Sequence, residues 1–192
     1  LEPNERLGKK LNITGKGRCN VTNDSTCEEL LAHVPQNPRF LYSVFSRFDG
    51  HDAIDFFEGL GVPLKVERGK RVFPVSDRSF DITAALEREL KRLHVKLVRD
   101  RALGISVEDG HVAAVKGEKG DYTASAVILA TGGLSYPATG STGDGFRMAE
   151  GLLSQKKLPD AIICANNYIA LGCVDAVNKR GLRIPKDIGV MA

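Results

Sequence analysis

The sequence predicts an α/β protein in which a mostly parallel sheet is flanked by helices and accompanied by a small antiparallel β meander. Short continuous apolar runs, such as residues 126–130, suit strands that are buried on both faces of a parallel sheet. These runs alternate with stretches whose apolar residues recur at helical spacing. Asp109 and Gly110 form the kind of pair that closes a hairpin, and they predict the meander.

The first half of the chain is expected to contain several short elements. Apolar periodicity predicts helices over residues 26–34, 40–48 and 52–60. A strand hairpin follows over residues 62–67 and 71–75, with Gly69 and Lys70 in its turn. Ser79 is the expected N-cap of a longer helix that continues to Leu93, because Ser79 precedes a run with one apolar face.

The second half alternates between strands and helices. Strands are predicted over residues 95–98, 103–108, 111–117, 121–125 and 126–130, and a helix over residues 146–156. The tail forms one β-α-β unit, with a strand over residues 161–164, a helix over 168–179 and a strand over 188–192. We expect this unit to complete the sheet, with residues 161–164 beside residues 126–130.

Composition excludes several classes of protein. The net charge is +3, and no run of lysines and arginines is dense enough for a nucleic-acid site, so we expect no specific nucleic-acid partner. No apolar run reaches the ~18 residues of a membrane span, and no signal peptide opens the chain. The 4 cysteines form no CxxC pair and no metal-ligand spacing, which indicates reduced thiols, a cytoplasmic location and no metal.

Three glycine-containing segments are candidates for ligand binding. In residues 14–23 two glycines allow close approach of the backbone, and Arg18 can neutralise a phosphate; a plain glycine turn before a helix is the alternative. Residues 130–133 end a buried strand at the sheet edge where ligands bind in open α/β folds, or form an ordinary turn. Residues 140–145 can hold a phosphate at a helix start, although they are not a P-loop.

These segments, in this order and together with Arg71-Val-Phe-Pro-Val-Ser76, resemble the HI0933-like family of bacterial FAD-dependent flavoproteins over residues 1–151. The resemblance implies a Rossmann-like FAD-binding fold and an oxidoreductase ancestry. Because a flavin performs the redox chemistry itself, no catalytic residue is assigned.

The resemblance also implies roles for individual residues. Glu2 matches the acid that holds the adenosine ribose hydroxyls, and the backbone of Leu103 matches the position that meets adenine. The remaining cofactor-binding candidates are the second FAD motif, Thr131, Gly132 and Gly133, and the loop expected near the cofactor, Arg18, Cys19 and Asn20. For Cys19 the alternative is a small buried apolar residue.

The sequence departs from this family at both ends. The family begins with a strand, a G-x-G-x-x-G turn and a helix that would precede Leu1, and no such turn occurs in the sequence, so we expect FAD binding to be weak or absent. Residues 152–192 resemble instead the effector-binding domain of LacI-type repressors, which have the periplasmic-binding-protein fold. Asn167 matches a position that touches sugar in that family, or caps the following helix.

The sequence thus predicts a chimera of two domains, residues 1–151 and residues 152–192, packed into the same sheet. Engineering or a naturally disrupted gene would produce such a chain, built on a fragment of an FAD-dependent oxidoreductase without full native activity. The alternative is a flavoprotein that retains FAD binding. A DNA regulator is excluded because no helix-turn-helix segment is present. Unpaired strand edges predict a homodimer or strand exchange.

Overall fold

The computed structural model describes residues 1–35, 38–134, 136–154, 158, 161–163 and 167–191. The chain divides into two compact units. Arg6–Lys96 form the first, called here the hairpin unit. Leu1–Glu5 together with Leu97–Ala192 form the second, called the split unit.

The hairpin unit combines short helices with one small sheet. Its strands pair antiparallel in the order β1-β3-β2. In chain order the elements are a 3-10 helix Leu11–Gly17, β1 Thr22–Asn23, α1 Cys27–Ala32, a 3-10 helix Pro38–Leu41, α2 Tyr42–Phe45, α3 Gly50–Gly59, β2 Leu64–Glu67, β3 Arg71–Pro74 and α4 Ser79–Arg92.

Most of these elements follow the predictions. Gly69 and Lys70 both take left-handed φ angles in the turn of the predicted hairpin. The prediction that Ser79 caps α4 was wrong, because the side chain of Ser79 is buried and donates to the carbonyl of Asn12 at 3.1 Å. The predicted helix over residues 40–48 is a 3-10 turn followed by the four-residue α2. The core packs Cys19, Val62, Ile82 and Ala85 together with Leu11, Val21, Phe57, Leu60, Leu64 and Leu86.

The split unit contains the meander and the tail. Its strands β4, β5 and β6 pair antiparallel in that order, with Asp109 and Gly110 in the predicted turn. Strands β7 and β8 pair in parallel on either side of α6, so the tail forms the expected β-α-β unit. The elements are β4 Ala102–Glu108, β5 His111–Gly117, β6 Asp121–Thr123, a 3-10 helix Pro137–Thr139, α5 Asp144–Leu153, β7 Ala161–Ile163, α6 Asn167–Lys179 and β8 Gly189–Met191.

The predicted parallel sheet is less extensive than expected. Residues 126–130 form no strand, and only Leu129 takes part in an isolated β-bridge. Residues 95–98 also lack strand pairing. In the described part of the chain, no ladder joins residues 161–163 to residues 126–130, so parallel pairing is confined to β7 and β8. A buried-type strand needs neighbours on both edges. In the described part of the chain, residues 126–130 have no more than the single bridge at Leu129, and residues 95–98 have no strand partner.

One hydrophobic cluster nevertheless joins the tail to the rest of the split unit. Its buried members before residue 154 are Ile105, Leu129, Met148, Ala149, Leu152 and Leu153. Its buried members from the tail are Ile162, Cys173, Ala176, Val177, Ile188 and Val190. The apolar face of α5 is therefore covered by side chains of the β-α-β tail.

Residues 164–166 and 192 lie outside the described residues. They include the end of the predicted strand 161–164 and the last residue of the predicted strand 188–192. Among the helices that the structure describes, none has the length and apolar character needed to cross a membrane.

The start of α3 depends on the absence of a side chain at Gly50. A Cβ atom there would lie 2.0 Å from the carbonyl oxygen of Asn23 and 2.8 Å from that of Ser25. We therefore expect Gly50→Ala to lower the free energy of unfolding of the hairpin unit by about 1–3 kcal/mol, since backbone atoms must move. Urea denaturation followed by circular dichroism measures this change.

Gly59→Ala is the matched control in the same helix, because a Cβ atom at Gly59 meets nothing within 4 Å. Alanine is also the better helix former by roughly 1 kcal/mol in a helix interior, so this variant should be neutral or more stable. Equal destabilisation by both substitutions would show that the close approach at Gly50 is not the cause.

Candidate functional site

Glu2 is held in a defined orientation within the split unit. Its backbone N–H donates to the carbonyl of Val98 at 3.0 Å. Its Oε1 accepts two hydrogen bonds from Asn4, one from the backbone N–H at 2.8 Å and one from Nδ2 at 2.7 Å. No hydrogen bond between described residues reaches Oε2, so this oxygen remains available to a ligand.

Leu103 occupies an irregular position on the edge strand β4. Ala102 pairs with Gly117 and Gly104 pairs with Lys116, so Leu103 is the extra residue of a bulge. Its side chain is 58% exposed. Because a bulged residue is left out of the ladder, its backbone groups are free to bind something other than β5.

The turn after Leu129 contains an unsatisfied polar atom. Thr131 Oγ1 is buried and has no hydrogen-bond partner in the described part of the chain. Gly132 takes a left-handed φ of +73°, and Gly133 is buried. A buried hydroxyl without a partner is costly, and such atoms often mark the place of a ligand or water.

A polar network connects this turn to the start of β4. The N–H of Gly143 donates to the carbonyl of Gly133 at 3.2 Å. The next residue, Asp144, opens α5 and accepts hydrogen bonds from the guanidinium of Arg101, from Nε at 3.1 Å and from Nη2 at 2.9 and 3.2 Å. The hydroxyl of Thr142 also donates to Asp144, at 2.9 Å. The glycine turn and the strand that carries Leu103 are thereby fixed to each other.

Asn4 connects Glu2 to the same loop. Its Nδ2 lies 3.4 Å from the carbonyl oxygen of Thr139, and Arg99 donates to the carbonyl of Asn4. Glu2, Leu103 and the turn from Thr131 to Gly133 therefore belong to one connected unit of the structure.

The carboxylate of Asp100 binds the residues at the start of β4 to Lys119 and Tyr122. The residue is buried, and its carboxylate accepts the backbone N–H of Arg101 at 2.8 Å, the N–H of Lys119 at 3.1 Å and the hydroxyl of Tyr122 at 2.7 Å. The hydrogen bond from Tyr122 holds the pKa of Asp100 below its usual value, although burial opposes this shift.

The other three candidates lie in the hairpin unit, where Arg18 is engaged in ion pairs. Its guanidinium Nη1 lies 2.9 Å from Glu67 and 3.3 Å from Asp77. The same group lies 4.1 Å from the centre of the Phe73 ring. The hydrogen bond to Arg18 lowers the pKa of Glu67. These contacts fasten the glycine loop to the β2–β3 hairpin.

Cys19 and Asn20 follow Arg18 in this loop. Cys19 is 2% exposed and packs in the core of the hairpin unit, and burial raises the pKa of its thiol. In the orientation that satisfies its neighbours, the amide of Asn20 donates to the carbonyls of Thr22 and Val72 at 3.0 and 3.3 Å. The side chains of Cys19 and Asn20 therefore stabilise the loop by core packing and by hydrogen bonds to its backbone.

Sequence reasoning missed Asn4, Asp100, Arg101 and Asp144. Asp144 stands in the glycine-rich segment and begins a helix, which is a favourable place for an acid that binds an arginine. Nothing in the sequence pairs Arg101 with it across more than 40 positions. Within the described ranges no group of three or more histidines, cysteines or acids is placed to bind a metal ion.

Comparison with known proteins agrees with the motifs. The family described as HI0933-like protein Rossmann domain matches residues 1–156. This chain belongs to the HI0933-like family. The Rossmann-like, α/β prediction is thereby confirmed, and the parent family is one of FAD-dependent flavoproteins.

Two curated relatives share this part of the chain. A 3-dehydro-bile acid delta(4,6)-reductase from Clostridium scindens is 36% identical over 155 residues, which are 79% of this chain and 36% of that protein. A ribosomal RNA dihydrouridine synthase from Escherichia coli is 28% identical over 152 residues, or 78% of this chain and 37% of that protein. The chain thus spans little more than a third of either relative.

A transcriptional repressor matches a shorter part of the chain. The transcriptional repressor PurR of Haemophilus influenzae is 42% identical over 48 residues, which are 25% of this chain and 14% of that repressor. The predicted resemblance to LacI-type repressors is confirmed by this match. The side chain of Asn167 is not among those described, so its predicted role as a cap or sugar contact remains a prediction.

The carboxylate of Asp100 makes stability depend on pH. Because the pKa of Asp100 is lower in the folded state, its contribution is complete above the unfolded pKa of about 4 and is lost as the pH falls through the folded value. We expect Asp100→Asn to unfold at a lower urea concentration at pH 7, with a smaller difference from the unsubstituted protein at pH 3. Asp121→Asn changes an exposed carboxylate on β6 and should leave the midpoint unchanged; a gap for Asp100→Asn that is constant with pH would contradict the assignment.

The unpaired hydroxyl of Thr131 predicts an unusual response to substitution. Thr131→Val removes a buried group that has no partner, so the ligand-free protein should be equally stable or more stable, by up to about 1–2 kcal/mol. Thr142→Val is the control, because its hydroxyl bonds Asp144 and its loss should destabilise the protein. Thermal unfolding without nucleotide compares the two. Equal destabilisation would mean that the Thr131 hydroxyl is satisfied without a ligand.

Proposed function

We propose that this chain is a chimera in which a fragment of an FAD-dependent oxidoreductase is closed by a fragment of a PurR-like repressor. It keeps the adenosine half of the FAD site, binds whole FAD weakly, and lacks full oxidoreductase activity. The observation that carries this proposal is the unsatisfied hydroxyl of Thr131, in a turn that hydrogen bonds connect to the loop before α5.

The described residues fit an adenosine. Glu2 offers a carboxylate oxygen to ribose hydroxyls, and the bulge at Leu103 leaves a backbone segment unpaired at the position that the family uses for adenine. Thr131 offers a hydrogen-bonding group from a turn that is tied to the same strand through Gly143, Asp144 and Arg101. FAD, when bound, supplies the electron-transfer chemistry itself.

The pyrophosphate and flavin have less support. The sequence contains no G-x-G-x-x-G turn, and backbone N–H groups of such a turn are what usually hold a pyrophosphate at a helix N-terminus. Arg18, which could neutralise a phosphate, is bound to Glu67 and Asp77. These two facts support weak binding of the intact cofactor.

The fusion is supported by packing. Six buried residues from the tail cover α5 and its neighbours in one hydrophobic cluster, so within the described chain the tail is part of the core. A natural disruption and a deliberate fusion both produce this outcome. The match to PurR covers 14% of that repressor, and we propose neither sequence-specific DNA binding nor a sugar response. We do propose association into a homodimer through open strand edges.

A flavoprotein that retains tight FAD binding is the second candidate. The left-handed Gly132 and the buried Gly133 favour it, because they preserve the family's second FAD motif in an ordered turn.

A titration separates the two candidates. We expect FAD affinity to be reduced by about two to four decades relative to a site with its pyrophosphate turn, since two charge-assisted hydrogen bonds of about 1.5–3 kcal/mol each are missing. Flavin fluorescence quenching measures the FAD dissociation constant, and competition measures those of ADP and FMN.

If only the adenosine half binds, ADP should compete about as well as FAD, and FMN, which lacks the adenosine, should not compete. Protein that purifies with stoichiometric FAD and submicromolar affinity would establish the second candidate instead. Failure of both ADP and FAD to bind would contradict both.

A further inference from the structure

Asn4 makes several hydrogen bonds next to Glu2. Its backbone N–H and its Nδ2 both donate to the same oxygen of Glu2, Oε1, at 2.8 and 2.7 Å. Its Nδ2 also approaches the carbonyl of Thr139 at 3.4 Å, and its own carbonyl accepts from Arg99. These contacts fix Asn4 at both its main chain and its amide.

A close approach by Gly140 leaves this amide little freedom. Gly140 has a φ of +96°, and a Cβ atom built on it would lie 2.7 Å from Asn4 Nδ2. The amide therefore occupies space that only glycine leaves open at this position. The arrangement around Asn4 thus depends on the loop before α5 as well as on Glu2.

From this geometry we propose that Asn4 is a positioning residue that makes Glu2 recognise a single ribose hydroxyl. A carboxylate oxygen offers two lone-pair sites, and the two donors of Asn4 use both of those on Oε1. Only Oε2 remains for the ribose. A carboxylate that is free to rotate would instead offer one oxygen to each hydroxyl of the diol.

The consequence is an asymmetric preference between the two hydroxyls. The ligand class is an adenosine 5′-phosphate whose ribose presents one hydroxyl to Oε2, while the other hydroxyl receives nothing from Glu2. This inference rests on the proposed adenosine site, and it goes beyond that proposal by assigning Asn4 and the form of the contact.

The test uses the full chain and three probes: AMP, 2′-deoxy-AMP and 3′-deoxy-AMP. Ligand-observed NMR titration gives the three dissociation constants. In the unsubstituted protein, loss of one particular hydroxyl should weaken binding about tenfold, as expected for a hydrogen bond to a charged group, and loss of the other should change it less than about threefold.

Asn4→Ala should abolish this asymmetry, because Oε1 loses the Nδ2 donor and regains a free lone pair for the second hydroxyl, although the backbone N–H at position 4 still donates to it. Gly140→Ala should have the same effect while the residue at position 4 stays asparagine, because the new Cβ atom displaces the amide of Asn4 from Glu2. Glu5→Ala, an exposed neighbour, is the control and should keep the asymmetry. Thermal unfolding of each variant shows whether it remains folded, and the ratio between the two deoxy analogues does not depend on the folded fraction.

The outcomes distinguish failure of the adenosine site from failure of the role of Asn4. No binding of AMP at millimolar concentration would overturn the proposed adenosine site, and the role of Asn4 with it. AMP binding with equal losses for both analogues, or an asymmetry that survives in Asn4→Ala, would overturn the role of Asn4 alone.

Discussion

The structure of the split unit depends on covering the apolar face of α5. Met148, Ala149, Leu152 and Leu153 are almost fully buried on this helix. Their partners come from β4 on one side and from the repressor-like tail on the other, with Val177 and Ile188 among the least exposed residues of the chain. Burial of such side chains stabilises by about 1.5–3 kcal/mol each. Removal of the tail's contribution would leave this face in water.

That packing has a consequence for the candidate site. The first residue of α5 is Asp144, which binds Arg101 at the start of β4, and the preceding N–H holds the carbonyl of Gly133. A helix seated firmly in the core therefore fixes both polar groups at its N-terminus. Through these contacts, the repressor-like tail supports the turn that contains Gly133 and the start of the strand that carries Leu103.

The polar network also explains why five of the eight candidate residues are connected within one unit. Glu2, Leu103 and Thr131 come from three distant parts of the sequence, and Asn4, Arg101 and Gly143 connect each of them to the loop before α5. Arg18 has a different environment. Its guanidinium forms ion pairs with Glu67 and Asp77 and a cation–π contact with Phe73. Arginine thus has two roles: Arg18 orders a loop in the hairpin unit, and Arg101 joins β4 to the start of α5 in the split unit.

The amino-acid sequence by itself determined the local structure and the ancestry. Turn pairs such as Asp109–Gly110, helical periodicity and the ordered glycine motifs depend on neighbouring residues, and they predicted the meander, most helices and both family resemblances. Tertiary structure alone decided the rest. Whether residues 126–130 become a strand depends on a partner from elsewhere in the chain, and among the described strands no ladder pairs with them. Whether Asn4 meets Glu2 and Thr139, or Arg101 meets Asp144, depends on contacts between segments far apart, for which local sequence carries no signal.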